Sequence, residues 1–215
     1  MTTPLLTRDA LAERVRSVME SEYHNRDEVW DGVWVVSPNP NDEHNDVEMN
    51  LGTIFNVVLG WTGLGRVRSG PNVSDRAEQW EHNFRCPDLA VFLQGTTARN
   101  LGVHWQGDPD FAVEVISPND RSRKKFDFYA QVNTRELLIV DRDPWVLELY
   151  RLEEGVLKLV GKSSLDRPDL LVSQVLPLSF RLVAGAPRPR IEVVHSDGVQ
   201  RWSAGEQPSP LLIAV

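Results

Sequence analysis

Apolar and polar positions along this chain alternate between two periods, and the changes of period divide it into elements. Leu11, Val15 and Val18 recur at helical spacing behind a start at Thr7, which predicts a helix over 7–20. Residues 28–36 read as a hairpin turning at Asp31-Gly32. A Pro/Asn-rich loop covers 37–41. Val47, Leu51, Ile54, Phe55, Val58 and Leu59 then predict a second helix over 46–61, ended by Gly63 and Gly65. A short strand over 66–69 is broken by Gly70-Pro71, and residues 72–75 read as a turn. Residues 85–93 predict a strand opened by Pro87, with Asp88, Ala90 and Phe92 on one face. The polar stretch 94–108 is too long for a tight hairpin and reads as a flap or a dimer contact. A strand over 111–116 follows, then a helix capped by Ser117 with Pro118 at its first position, its apolar face formed by Phe128, Tyr129 and Val132. Asn133-Thr134 ends that helix, since asparagine tolerates the left-handed conformation needed there. Strands over 135–141, 145–152 and 156–160 form a meander, and 178–182 adds a further strand. Beyond Ala184 a hairpin turning at Ser196-Asp197-Gly198 and a tail are expected. The order implies an α/β fold in one domain, 1–184, with residues 185–215 as an extension rather than a second domain.

One residue breaks the pattern. Glu114 lies in the middle of the apolar run Phe111-Ala112-Val113-Glu114-Val115-Ile116, and a carboxylate there is costly without a partner. The strand advances about 10 Å from Glu114 to Ser117 at roughly 3.3 Å per residue. A helix folding back returns about 10 Å between Pro118 and Lys125 at roughly 1.5 Å per residue, bringing Lys125 level with Glu114. Lys124 lies about 100° round the helix and points elsewhere. If the strands over 85–93 and 111–116 pair, Asp88 and Glu114 converge over a floor kept low by Ala90 and Ala112. Two carboxylates and a lysine suit a hard divalent cation, Mg²⁺ or Mn²⁺, with the lysine orienting a water or offsetting phosphate charge. Only four lysines occur in the chain, two of them adjacent at Lys124-Lys125. Arg121, Arg123 and Lys124 form a basic cluster that either meets phosphates or is simply solvated.

Bulk composition narrows the alternatives. The formal net charge of -8 argues against non-specific coating of nucleic acid, though local patches decide a contact. A single cysteine, Cys86, excludes an internal disulfide and fits a reducing cytoplasm. There is no apolar signal core at the N-terminus and no run of membrane-spanning length. The histidines and the lone cysteine make no zinc-ligand spacing, and neither a P-loop, a dinucleotide fingerprint nor a nucleophile elbow occurs.

Pro87-Asp88, Glu114 in FAVEVISP, Lys125 in RSRKKFDFYA, and RELLIVDRDPWVLELYRL resemble, in that order, the Uma2 family of restriction-endonuclease-like proteins in the PD-(D/E)xK nuclease superfamily. The resemblance covers residues 27–152. It implies a restriction-endonuclease-like core and a metal site at Asp88 and Glu114. It also implies a catalytic set of Asp88, Glu114 and Lys125, DNA as substrate and a homodimer. Ile116 stands two after Glu114, where the superfamily's plain motif has lysine; Uma2-like chains carry it on the following helix, where Lys125 lies. The family pattern also makes His44 and Glu48 candidate outer participants, against the plain alternatives of a polar loop and a solvated helix face. Two functions follow as expectations: a metal-dependent nuclease, or the same fold kept as a nucleic-acid- or protein-binding module with little cleavage.

Overall fold

The computed structural model describes residues 26–37, 39–116 and 121–205. The helix expected over 7–20, the cap at Ser117 and Pro118, and the tail from residue 206 lie outside the described residues.

The first described elements are β1 (Glu28–Trp30) and β2 (Val33–Val35), paired antiparallel around Asp31 and Gly32. Both turn residues have positive φ, 48° and 82°, as the tight hairpin turn requires. Helix α1 (Asp42–Phe55) begins five residues before Val47, the first of its hydrophobic stripe. The reason is local: the Asn41 side chain accepts the His44 N–H at 3.0 Å, and Asp42 and Glu43 in the first turn favour the positive end of the helix dipole. A π-helical turn, Asn56–Gly60, extends it.

The single strand expected over 85–93 is two. After β3 (Gly65–Ser69) and the short β4 (Val73–Ser74), β5 (Phe84–Arg85) pairs with β1 and β4 in a small sheet. Then β6 (Leu89–Leu93) enters the central sheet. Pro87 sits at the handover, where it has no ladder hydrogen bond to donate. Residues 94–108 are not a free flap. They form β7 (Arg99–Asn100) and β8 (Trp105–Gln106), which pair together and join β4, while the Trp105 ring stacks on Phe92 at 3.7 Å.

Strand β9 (Phe111–Val115) lies antiparallel to β6 and parallel to β10 (Glu136–Arg142). The connection holds a 3₁₀ turn, Ser122–Lys125, and a short helix α2 (Phe126–Gln131). Asn133 takes the left-handed conformation, φ 62°, and so ends α2 as expected. β11 (Trp145–Glu153) and β12 (Val156–Ser164) complete a six-stranded mixed sheet of spatial order β12-β11-β10-β9-β6-β3. A four-stranded antiparallel sheet follows: β13 (Leu171–Val172), β14 (Leu178–Val183), β15 (Arg190–His195) and β16 (Arg201–Ala204). The expected hairpin after Ala184 is thus β15–β16.

Alternation along β9 divides the core. Phe111, Val113 and Val115 face α1 and the C-terminal sheet, packing with Leu51, Phe55, Phe180 and Ile191. Ala112 faces the other way, with Ala90, Phe92, Phe128, Tyr129 and Val132. Covered on both faces, β9 reads as a nearly continuous apolar run. This α/β architecture therefore buries Glu114 on the α2 side. Among the described residues no helix is long and apolar enough to cross a membrane.

Candidate active site

The register of β6 and β9 pairs Leu89 with Val113 and Ala90 with Ala112. One step further along the same register, Asp88 stands opposite Glu114. The alanine pair is packed under Phe128 and Tyr129 rather than flooring the site, and both carboxylates line one cavity of about 70 Å³ with Arg26, Ser37, Pro40, His44, Cys86, Val115, Ser122 and Lys125.

Asp88 is held by three groups. Its Oδ2 accepts the Val115 N–H at 2.7 Å, and its Oδ1 lies 2.6 Å from Arg26 Nη1 and 3.0 Å from His44 Nε2. Burial alone would push its carboxyl upward; the His44 ring, the Val115 N–H and the Arg26 guanidinium outweigh burial and hold it below the usual carboxylate range.

Glu114 is almost fully buried, and Lys125 reaches it: Nζ lies 3.0 Å from each carboxylate oxygen. Ser122 Oγ donates to Oε2 at 3.0 Å, and the Tyr129 hydroxyl donates to Oε1. Burial pushes Glu114 up to about 7; Lys125 opposes that rise, and the nearby negative Asp88 and Glu28 add to it. Lys125 also meets Glu28 Oε1 at 2.8 Å. Burial alone would lower the amine, but Glu114 and Glu28 hold it charged, well above the ordinary lysine value. Glu28 is fixed in turn by the Cys86 N–H at 2.8 Å and Trp30 Nε1 at 2.7 Å.

Helix α1 supplies the remaining groups. His44 and Glu48 are spaced i, i+4 and both face inward, with Nε2 3.8 Å from Glu48 Oε2. Arg26 Nη2 lies 2.8 and 2.7 Å from the two Glu48 oxygens, and Ser69 Oγ donates to Oε1 at 2.6 Å. His44, Glu48 and Asp88 each offer a ligand atom, all within 4.8 Å of one another. Carboxylate oxygens with one imidazole nitrogen match the donors that Mg²⁺ and Mn²⁺ take, so the residues present fit a hard divalent cation.

The structure thus gathers Asp88, Glu114, Lys125, His44 and Glu48. The basic cluster lies outside the cavity. Arg121, Arg123 and Lys124 are exposed, and Arg123 is engaged by Glu148, Asp141 and the Tyr150 hydroxyl. Four groups joined to the site went unseen in the sequence. Glu28 carries the same signature as Glu114, an acid beside Val29 and Trp30 in a strand. Arg26 is the one arginine, with no lysine, in the acidic stretch 20–48. Tyr129 looks in the sequence like a core aromatic, although a fully buried hydroxyl needs a partner. Ser122 carried no signal.

Residues 19–185 match the family model Uma2, described as "Putative restriction endonuclease". No functionally curated protein matches the chain. Among solved structures the fold is similar to "a putative nuclease belonging to DUF820 from Anabaena variabilis ATCC 29413", with a TM-score of 0.56 over 73% of this chain and 86% of that one. The two chains are 18% identical, so the likeness is one of fold. Because the family model spans most of its length, this chain belongs to the Uma2 family.

Proposed function

We propose that this protein is a nuclease that hydrolyses DNA phosphodiesters with a divalent cation, Mg²⁺ or Mn²⁺. The observation that carries the reading is that Asp88 and Glu114 face one cavity while Lys125 contacts Glu114 from the 3₁₀ turn that leads into α2. Asp88 and Glu114 would hold the cation, with His44 and Glu48 beside Asp88. A cation bound there supplies the positive charge that polarises the phosphodiester and offsets charge developing on its oxygens. Asp88 is pre-set for this, being ionised and immobilised by the Val115 N–H. Lys125 stays protonated, so it acts as a donor that orients water or steadies a phosphoryl oxygen, not as the base that takes a proton. Glu28 keeps the amine in place if Glu114 turns to the cation.

Plasmid cleavage in Mg²⁺ or Mn²⁺ tests this. The native protein should cut, and D88A, E114Q and K125A should each lose at least about 100-fold, the scale of removing one charge-stabilising group. Equal cleavage by D88A and native protein would assign the activity to a contaminant. The second reading, a nuclease fold kept for binding, is favoured by Arg26, which already pairs with Asp88 and Glu48. It expects DNA retention that is indifferent to D88A and to metal.

A further inference from the structure

Arg26 occupies the Asp88 side of the proposed cation site, where His44 and Glu48 stand beside Asp88. Its Nη1 is 2.6 Å from Asp88 Oδ1 and its Nη2 is 2.7 Å from Glu48 Oε2. Asp88, Glu48 and His44 are the three groups whose ligand atoms cluster within 4.8 Å. A divalent cation bonded to carboxylate oxygens at about 2.1 Å would crowd and repel guanidinium nitrogens already hydrogen-bonded to those oxygens. Both cations cannot hold the same oxygens in the same way. The two acids are buried and within reach of one another, so without positive charge they would repel in a poorly solvated place. The arginine side chain is 26% exposed, whereas Asp88 and Glu48 are 9% and 7% exposed. It therefore has a route outward that the acids lack.

We propose that Arg26 is a displaceable internal cation. It neutralises Asp88 and Glu48 while the protein is without metal, and it leaves them when a divalent ion arrives. Metal affinity is thereby set by competition within the chain: the ion must replace a fork of charge-assisted hydrogen bonds before it gains its own ligands. This rests on the metal-binding reading given above and adds a gate to it. The gate keeps two buried acids neutralised in the metal-free protein and lowers the apparent affinity for the ion.

Calorimetric titration with Mn²⁺, without DNA, tests the proposal on native protein, R26Q and R26K, with D88A as a control for the site. R26Q should bind Mn²⁺ about tenfold tighter or more, a usual size for coupling between two competing occupants. R26K should fall between them, because one ammonium cannot bridge both acids as a guanidinium fork does. Thermal melts add a second measure. R26Q should melt below native protein without metal, and saturating Mn²⁺ should close most of that gap. An arginine that is merely structural would leave the gap unchanged. In the native protein, Mg²⁺ should shift the Arg26 side-chain Nε–H resonance, a signal identified by its loss in R26K. Equal Mn²⁺ affinity in native protein and R26Q, or weaker binding in R26Q, overturns the gate while leaving the metal site standing. Mn²⁺ binding by none of the proteins, or equal binding by D88A and native protein, overturns the metal reading and the gate with it.

Discussion

Glu114 shows how one residue can oppose stability and still define a site. Its carboxyl is raised from 4.5 to about 7 in the fold, chiefly by burial. The folded protein therefore binds that proton more tightly than the unfolded chain. The stabilisation is fully present below about pH 4.5 and is lost as pH rises through about 7. E114Q, neutral at every pH, should be more stable than native metal-free protein at pH 8, by on the order of 1–3 kcal/mol. That advantage should shrink on acidification. Thermal melts at pH 8 and pH 5 check it, and a constant difference would refute it. Lys125 behaves oppositely. K125M leaves Glu114 and Glu28 buried without their shared cation, so it should cost about 3–5 kcal/mol at neutral pH and less in acid, by denaturant titration. The sequence showed Glu114 and Lys125 because each broke a local expectation, an acid in an apolar strand and a rare lysine on the border of a helix face. Tyr129 broke none, since its hydroxyl partner lies fifteen residues away on a neighbouring element.

At the scale of elements, the end of a helix decides what its side chains can reach. Asn41 starts α1 early enough to place His44 and Glu48 one turn apart on its inner face. N41A should cost about 1 kcal/mol through the lost cap, and it should weaken Mn²⁺ binding, because the cap steadies the turn that carries His44. Asn133 is the corresponding stop for α2. N133G should be tolerated, whereas N133V should cost about 1–3 kcal/mol by forcing a β-branched residue to positive φ; denaturant melts distinguish the two. Asp31-Gly32, Asn133 and Ser196-Asp197-Gly198 all lie where composition put them, but the turn expected over 72–75 is instead the strand β4, paired with β5 and β8. The break between β5 and β6 was not legible, because proline is allowed at the start of a strand and only the pairing shows that Phe84–Arg85 and Leu89–Leu93 belong to different sheets, with residues 86–88 between them.

For the whole molecule, the C-terminal sheet is part of the main core. Ile191, Val193 and Ala204 pack in the cluster that contains Leu51, Phe55 and Phe111, and β15 pairs along the length of β14. A chain ending at Ala184 would expose the edge of β14 and part of that core. It should lose its cooperative melt and aggregate, as circular dichroism and gel filtration would show; a monomer with a native melt would refute this. The linear chain by itself determined the periodicities, the turns and the locally anomalous residues, because those depend on neighbours within a few positions. It also marked Lys125 as a candidate partner for Glu114, although Lys125 sits in the 3₁₀ turn Ser122–Lys125 rather than on the helix expected to carry it. Only the tertiary structure decided that β6 takes the register placing Asp88 opposite Glu114, and that Arg26 closes over Asp88 and Glu48. Those contacts join residues 62 and 22 positions apart, and burial and charge neutralisation select such pairs only once the sheets have packed.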